Sequence, residues 1–107
     1  MIDLHPRAAE WLHWAIVDLS PESTSLAEGA SGSLASPARE LVNTFGERGY
    51  GGPQPPAGSG DHTYAIAVYA LDTASLDIAE APSAADIRRA VSGHVLAWGT
   101  LNGMAGR

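Results

Sequence analysis

The sequence contains no cysteine, no lysine and no long apolar segment, and each absence excludes a class of function. Without cysteine, the chain cannot use disulfides, thiolate nucleophiles or zinc–thiolate sites. The six cationic residues are scattered arginines and the formal net charge is −6, which argues against nucleic acid as a partner. No apolar run approaches the roughly 20 residues of a membrane-spanning helix, and the N-terminus shows no signal-peptide pattern. We therefore expect a cytoplasmic protein without integral membrane association.

The length of 107 residues and the apolar content of 45% predict one globular domain spanning residues 1–107. The acidic balance does not exclude a small anionic ligand, because a few imidazole, hydroxyl and backbone N–H donors can hold one locally. No strong nucleophile motif is present, and the histidines and aspartates lack the close spacing of metal sites. We therefore predict no catalytic residues, no metal and no cofactor.

The hydrophobic pattern predicts mainly strands and loops before residue 80. A β-branched run within residues 12–19 favours a short buried strand, and residues 22–39 have the composition of a long surface loop. Residues 62–72 are apolar on both faces of the strand they predict, which is typical of the centre of a sheet. Residues 76–78 favour a short further strand.

One helix is predicted near the C-terminus. Ser83 is a suitable N-cap, Asp86 forms a partial capping box with it, and the helix is expected to run to about Gly99. We expect His94 and Trp98 to lie in the core, together with Trp14. The residues that recur at helical spacing and predict one apolar face are Ile87, Ala90, Val91, His94, Val95 and Trp98.

Residues 49–61, named here the Gly/Pro loop, contain five glycines and three prolines. Prolines restrict the backbone and glycines permit positive φ, so this composition favours a defined loop whose backbone can approach a ligand. His62 follows the loop, and Tyr64 projects to the same side of a strand because the side-chain period is two. Trp11 and His13 are spaced in the same way. The pattern predicts a pocket for a small anion, with imidazole and phenol donors and an apolar wall.

Three segments form a specific combination: the Gly/Pro loop continuing into residues 62–72, the segment Trp11-Leu12-His13-Trp14, and residues 87–101. The combination resembles the second signature block, the pocket-histidine strand and the C-terminal helix of the phosphatidylethanolamine-binding proteins (PEBP). It is most similar to the bacterial and archaeal Raf kinase inhibitor-like branch (YbhB/YbcL type). The resemblance implies a mainly β (α+β) fold, a PEBP-like sheet or sandwich with a C-terminal helix. The single domain would be the C-terminal two-thirds of the family fold, shortened at its N-terminus.

The resemblance also implies which residues bind a ligand. The Asp3-Leu4-His5-Pro6 segment stands where the family's first signature ends, and His5 is either a pocket member or a turn residue. Gln54 would contribute backbone at the loop. The implied ligand-binding residues are Asp3, His5, Trp11, His13, Tyr50, Gln54, Pro55, Pro56, His62 and Tyr64.

The function implied by the resemblance is binding of a small anion, a phosphate, phosphomonoester or carboxylate, in a regulatory role. Two alternatives stay open: a small-molecule isomerase or cyclase that uses histidine and aspartate in the same pocket, and an inhibitor of a kinase or protease. Family members carry early strands that precede this sequence, and a sheet without them exposes unpaired backbone groups. We therefore expect a homodimer formed by strand pairing or exchange, and a protein partner remains open.

Overall fold

The computed structural model describes residues 1–107 and is mostly β-structure with one α-helix. It confirms the predicted mainly β class. The elements in chain order are β1 (Ile2–Asp3), a 3-10 helix (Pro6–Ala8), β2 (Ile16–Val17), β3 (Arg39–Glu40), β4 (His62–Leu71), α1 (Ala84–Val91) and β5 (Val95–Ala105).

The main sheet has three antiparallel strands in the order β1-β4-β5. β4 lies at its centre, as the two apolar faces of residues 62–72 predict. β1 pairs with β4 only at its start, with Asp3 opposite Tyr64, whereas β5 pairs with β4 along the whole strand. β2 and β3 form a separate two-stranded antiparallel sheet. This topology brings the turn after β1 next to the first residues of β4.

The hydrophobic core lies between the small sheet, α1 and the segment after β4. Its buried members are Val17, Leu41, Leu76 and Val91. Leu76 enters this core from a segment without regular structure, so the short strand predicted at residues 76–78 does not form. Only part of the strand predicted within residues 12–19 forms, namely β2, while Leu12 makes an isolated bridge to Ile2.

The long loop predicted for residues 22–39 has no helix and no strand before β3 begins at Arg39, and the Glu40 carboxylate anchors it. This carboxylate accepts hydrogen bonds from Ser31 Oγ (2.7 Å), the Gly32 N–H (2.5 Å) and Trp14 Nε1 (2.6 Å). Burial opposes its ionisation, but the three hydrogen bonds outweigh burial and hold the pKa of Glu40 below its usual value. Ser31 Oγ also accepts the Tyr50 N–H, which ties this loop to the Gly/Pro loop.

The predicted helix is shorter than expected, because the chain turns after Val91 and continues as a strand. Gly93 adopts φ +81°, a left-handed conformation that ends helices. Val95 to Ala105 then pair with β4, and this long antiparallel ladder outweighs the helical periodicity of the same residues. The extension of the helix to Gly99, and the C-terminal helix over residues 87–101, were therefore wrong.

Two side chains that the helical interpretation placed in the core lie elsewhere. Trp98 projects from β5 and is exposed. His94 lies just before β5, where its Nδ1 is 2.7 Å from Oδ1 of Asp72, which follows β4, and both side chains are about half exposed. Both predictions were wrong for the same reason, namely that the chain leaves the helix before reaching these residues.

The start of α1 is fixed by the predicted Ser83 cap. Ser83 Oγ accepts the Asp86 N–H at 3.1 Å, and the Asp86 carboxylate accepts the Ser83 N–H at 2.9 Å, which completes a capping box. We expect Ser83→Ala to lower the free energy of unfolding by about 1 kcal/mol, since the first turn loses one hydrogen bond. Urea denaturation measures this change. Ser25→Ala in the exposed loop is the matched control, and an equal loss there would contradict the capping role.

No helix in the chain is both long enough and apolar enough to cross a membrane.

Candidate functional site

A cavity of about 280 Å³ opens between the turn after β1, the start of β4 and the Gly/Pro loop. Its lining combines titratable side chains with aromatic rings and prolines. The lining residues are Asp3, Arg7, Ala8, Trp11, His13, Phe45, Gln54, Pro55, Pro56, His62 and Tyr64.

Eight of the ten residues predicted to bind a ligand line this cavity, and two do not. His5 stacks on the His62 ring, with 3.9 Å between centroids and 8° between planes, and does not line the cavity itself. Tyr50 packs edge-on against Trp14 and lines a separate apolar cavity of about 270 Å³. Because that second cavity contains no charged side chain, it offers little to an anionic ligand.

Asp3 and His62 form a buried pair at the base of the cavity. The register of β1 against β4 sets Asp3 beside the start of β4, and Asp3 Oδ2 lies 2.7 Å from His62 Nδ1. Both side chains are almost fully buried. The other carboxylate oxygen, Oδ1, accepts the His5 N–H at 2.9 Å. Both oxygens of the Asp3 carboxylate are therefore engaged in hydrogen bonds within the protein.

Both ring nitrogens of His62 have partners within the protein. Nε2 lies 2.8 Å from Ser59 Oγ, and the Ser59 hydroxyl donates to the Pro56 carbonyl at 2.6 Å. Since this hydroxyl has one hydrogen, Ser59 accepts its second bond from His62 Nε2–H. His62 thus lines the cavity with its ring but has no free donor for a ligand.

His13, in contrast, has one nitrogen free. Its Nδ1–H donates to the Gly51 carbonyl at 2.8 Å, and the Gly51 N–H donates back to the His13 carbonyl at 2.9 Å. These bonds hold the Gly/Pro loop against the cavity wall and fix the imidazole tautomer. Nε2 makes no hydrogen bond within the protein, so it can accept a hydrogen bond when the ring is neutral and donate one when the ring is protonated.

Aromatic rings hold His13 from two sides. Phe45 and Tyr64 contact it edge-on, with centroids 5.3 Å and 5.2 Å away, and Trp11 packs edge-on against Phe45 at 5.4 Å. Gly51 leaves the space that Phe45 occupies, because a Cβ at position 51 would lie 2.6 Å from the Phe45 ring. Phe45 is a lining residue outside the predicted set, although it belongs to the segment leading into the Gly/Pro loop.

Tyr64 carries the only buried side-chain polar atom that has no hydrogen-bond partner, its hydroxyl oxygen. Burial, then the negative charge of Asp3 and a contact with that carboxylate, raise the pKa of the Tyr64 hydroxyl above its usual value. The contact with Asp3 does not have the geometry of a hydrogen bond. The phenol therefore remains a hydrogen-bond donor across the neutral range. A buried donor without a partner costs free energy, so this hydroxyl is suited to a group that enters the cavity.

Arg7 is the functional candidate that sequence reasoning missed. It lines the cavity from the 3-10 helix, where the His5 side chain caps the Arg7 N–H at 3.2 Å. Its guanidinium forms no ion pair, whereas the arginines that pair with carboxylates are Arg39, Arg48, Arg88 and Arg89. The sequence feature that could have identified Arg7 is its position two residues after His5, in the segment that also contains Asp3. The cavity therefore has an uncompensated positive charge at its mouth.

No group of three or more histidine, aspartate or glutamate side chains lies close enough together to hold a metal ion. The cavity offers hydrogen-bonding groups and charge to a ligand. Three groups supply it from three different segments: the Arg7 guanidinium, His13 Nε2 and the Tyr64 hydroxyl.

Comparison with known proteins supports the resemblance. The family model for phosphatidylethanolamine-binding protein matches residues 1–106. A UPF0098 protein of Methanothermobacter thermautotrophicus is 41% identical over 96 residues, which are 88% of this chain and 62% of the relative. The UPF0098 protein YbhB of Escherichia coli is 35% identical over 102 residues, 92% of this chain and 64% of YbhB. The chain thus spans less than two-thirds of the length of these relatives.

Two solved structures of phosphatidylethanolamine-binding protein relatives also match the fold of this chain. The crystal structure of YbcL from Escherichia coli superposes with a TM-score of 0.87 at 26% identity, covering 99% of this chain and 68% of YbcL. The PEBP homologue CT736 from Chlamydia trachomatis superposes with a TM-score of 0.74 at 33% identity, covering 95% of this chain and 62% of CT736. The chain belongs to the phosphatidylethanolamine-binding protein family, in its YbhB/YbcL branch.

Proposed function

We propose that the chain binds a small anion in this cavity, a phosphate or phosphomonoester group or a carboxylate, and that it acts as a regulatory binding protein. The observation that carries the proposal is the Tyr64 hydroxyl, which is buried without a hydrogen-bond partner. Leaving such a group unpaired costs about 1–3 kcal/mol. An anionic oxygen in the cavity would accept its hydrogen and remove that cost.

Arg7 and His13 support the choice of an anion. The Arg7 guanidinium has no carboxylate partner, and its planar donors match two oxygens of a phosphate or carboxylate. His13 Nε2 suits a phosphate in both protonation states of the ring. A neutral imidazole accepts a hydrogen bond from the P–OH of a hydrogen phosphate, and an imidazolium donates to a phosphate oxygen. Phosphate and phosphomonoesters therefore use these groups more fully than a carboxylate does.

The enzyme alternative has one feature in its favour, the series Asp3, His62 and Ser59, which has the residue order of a nucleophile relay. Its hydrogen-bond directions do not suit that role. The Ser59 hydroxyl hydrogen goes to the Pro56 carbonyl, so His62 does not receive it and Ser59 is not activated. The series instead holds the end of the Gly/Pro loop against β1, and the binding function is preferred.

The proposal is tested by calorimetric titration with inorganic phosphate. We expect saturable binding, and we expect Arg7→Ala to weaken it by about threefold to fivefold, the modest effect of a partly exposed charge. Arg89→Ala is the control, since it removes the same charge from the exposed surface of α1. Absence of phosphate binding by the folded protein, or equal loss in the two variants, would refute the role of the cavity.

Small molecules and proteins both carry phosphomonoesters, and the chemistry in the cavity is the same in both cases. Phosphorylethanolamine and a phosphoserine peptide distinguish the two sources in the same titration. Tighter binding of the peptide would favour the alternative in which the protein inhibits a kinase or protease.

A further inference from the structure

Glu40 does not line the cavity, yet its carboxylate is bonded to both of the segments that meet around His13. From one segment, Trp14 Nε1–H donates to Glu40 Oε2 at 2.6 Å. From the other side, Ser31 Oγ–H donates to the same oxygen at 2.7 Å and Ser31 Oγ accepts the Tyr50 N–H at 3.0 Å. One carboxylate thus holds Trp14 directly and Tyr50 through Ser31. We name the pair of Glu40 and Ser31 the Glu40 clamp.

The two residues that the Glu40 clamp holds are the immediate neighbours of the contact that orients the His13 ring. Trp14 follows His13 in the chain, and Tyr50 precedes Gly51. His13 Nδ1–H donates to the Gly51 carbonyl at 2.8 Å, and the Gly51 N–H donates to the His13 carbonyl at 2.9 Å. The rings of Trp14 and Tyr50 also pack edge-on, with 5.6 Å between centroids. The clamp therefore fastens each segment one residue away from the contact that fixes the imidazole.

The segment that carries the Gly51 carbonyl needs such anchors, because three of the four residues 49–52 are glycine. Glycine loses more backbone freedom on folding than any other residue, so the direction of a carbonyl in this segment is not set by local geometry alone. One anchor is local, since Asn43 Nδ2–H donates to the Gly49 carbonyl at 3.0 Å. Ser31 supplies the second anchor from 19 positions earlier in the chain.

Gly49 shows how closely the clamp and the Gly/Pro loop fit together. It adopts φ +110°, and a Cβ at this position would lie 2.8 Å from Ser31 Oγ and 3.2 Å from Glu40 Oε2. Glycine therefore leaves the space through which the Ser31 hydroxyl reaches both of its partners. The sequence of each segment is matched to the contact with the other.

We propose that Glu40 and Ser31 are positioning residues for the cavity, which set the tautomer of His13 through the Gly51 carbonyl. The inference rests on the proposed function, since His13 Nε2 is one of the groups offered to an anion. With the carbonyl in place, a neutral ring carries its hydrogen on Nδ1 and leaves Nε2 as an acceptor. If the carbonyl is released, the ring can place that hydrogen on Nε2 or rotate away from the cavity.

The clamp gives the loop before β3 control over a cavity that it does not line. Its contacts with the Glu40 carboxylate are Ser31 Oγ and the Gly32 N–H, which donates to Oε1 at 2.5 Å. Residues 21–29 of the same loop are all exposed and open to other molecules. A change in this loop that withdraws Ser31 from Glu40 frees the Tyr50 N–H and lowers the affinity of the cavity for an anion.

The tautomer of His13 is measurable without any ligand, from the ring nitrogen resonances at a pH where the imidazole is neutral. We expect the Nδ1–H form in the unmodified protein and a larger share of the Nε2–H form in Ser31→Ala and in Glu40→Gln. Ser31→Thr keeps the hydroxyl and should keep the original tautomer. Ser33→Ala in the same loop and Glu47→Gln are the matched controls, since both side chains are exposed, and neither should change it.

Titration of the same variants with inorganic phosphate tests the consequence for binding. We expect Ser31→Ala and Glu40→Gln to weaken phosphate binding about threefold or more, and Ser31→Thr and the two controls to keep the original affinity. An unchanged His13 tautomer in the two folded clamp variants would overturn the inference and leave the proposed function standing, and so would a shifted tautomer with unchanged phosphate affinity. If the unmodified protein binds no phosphate, the proposed function fails, and the tautomer alone then decides whether the clamp positions His13.

Discussion

His62→Ala is expected to lower the free energy of unfolding by about 3–5 kcal/mol, because it leaves the Asp3 carboxylate buried without its partner. The Asp3–His62 contact is 2.7 Å long and almost fully buried, and the only other hydrogen bond to the carboxylate comes from the His5 N–H. The substitution also removes the Ser59 contact that closes the Gly/Pro loop. Urea denaturation followed by tryptophan fluorescence measures the loss.

The chain contains a matched control for this substitution. His94 and Asp72 form a pair of the same length, 2.7 Å, but both side chains are about half exposed. His94→Ala should therefore cost about 1 kcal/mol or less. If His62→Ala leaves too little folded protein to measure, Asp3→Asn added to it should restore part of the stability, since the uncompensated charge is then removed. Equal losses for the two single histidine variants would show that the buried pair has no special role.

Tyr64→Phe should weaken phosphate binding by about tenfold or more without lowering the stability of the fold. A hydrogen bond from a phenol to an anionic oxygen contributes about 1.5–3 kcal/mol, and tenfold in affinity corresponds to about 1.4 kcal/mol. In the unliganded protein the same hydroxyl has no partner, so its removal deletes an unsatisfied polar atom and leaves the ring in place. Calorimetry and urea denaturation together measure the two effects.

The opposite behaviour of binding and stability makes this variant informative. A general loosening of the cavity would lower both quantities, as expected for a substitution that damages packing. Tyr69→Phe is the control, because Tyr69 lies on β4 outside the cavity and its side chain is exposed. Unchanged phosphate affinity in Tyr64→Phe would contradict the claim that the hydroxyl awaits an anion.

The sequence predicts the centre of the sheet and most of the cavity well. Residues 62–72 are apolar on both faces, and this pattern depends only on local alternation, so β4 forms where expected. Eight of the residues that line the cavity were expected from the resemblance to the phosphatidylethanolamine-binding proteins, which is carried by short motifs along the chain. A motif that acts through local geometry is readable without knowledge of distant contacts.

Contacts between distant segments are what the sequence does not predict. Residues 95–98 have a spacing compatible with a helix, and only the ladder with β4 decides that they form a strand. The engagement of both His62 nitrogens depends on the register of β1 against β4 and on the turn at Ser59. The importance of Arg7 emerges only when four of the other five arginines are seen to pair with carboxylates, while Arg7 lines the cavity without an ion-pair partner.

The most direct test of the anion site is an NMR titration of the protein with phosphate, following the histidine ring resonances. We predict saturable shifts for His13, whose Nε2 makes no hydrogen bond within the protein. We predict no comparable shift for His94, which pairs with Asp72 outside the cavity. If the His13 signals stay constant in the folded protein, or if His94 shifts equally, phosphate does not bind in this cavity and the proposed function is contradicted.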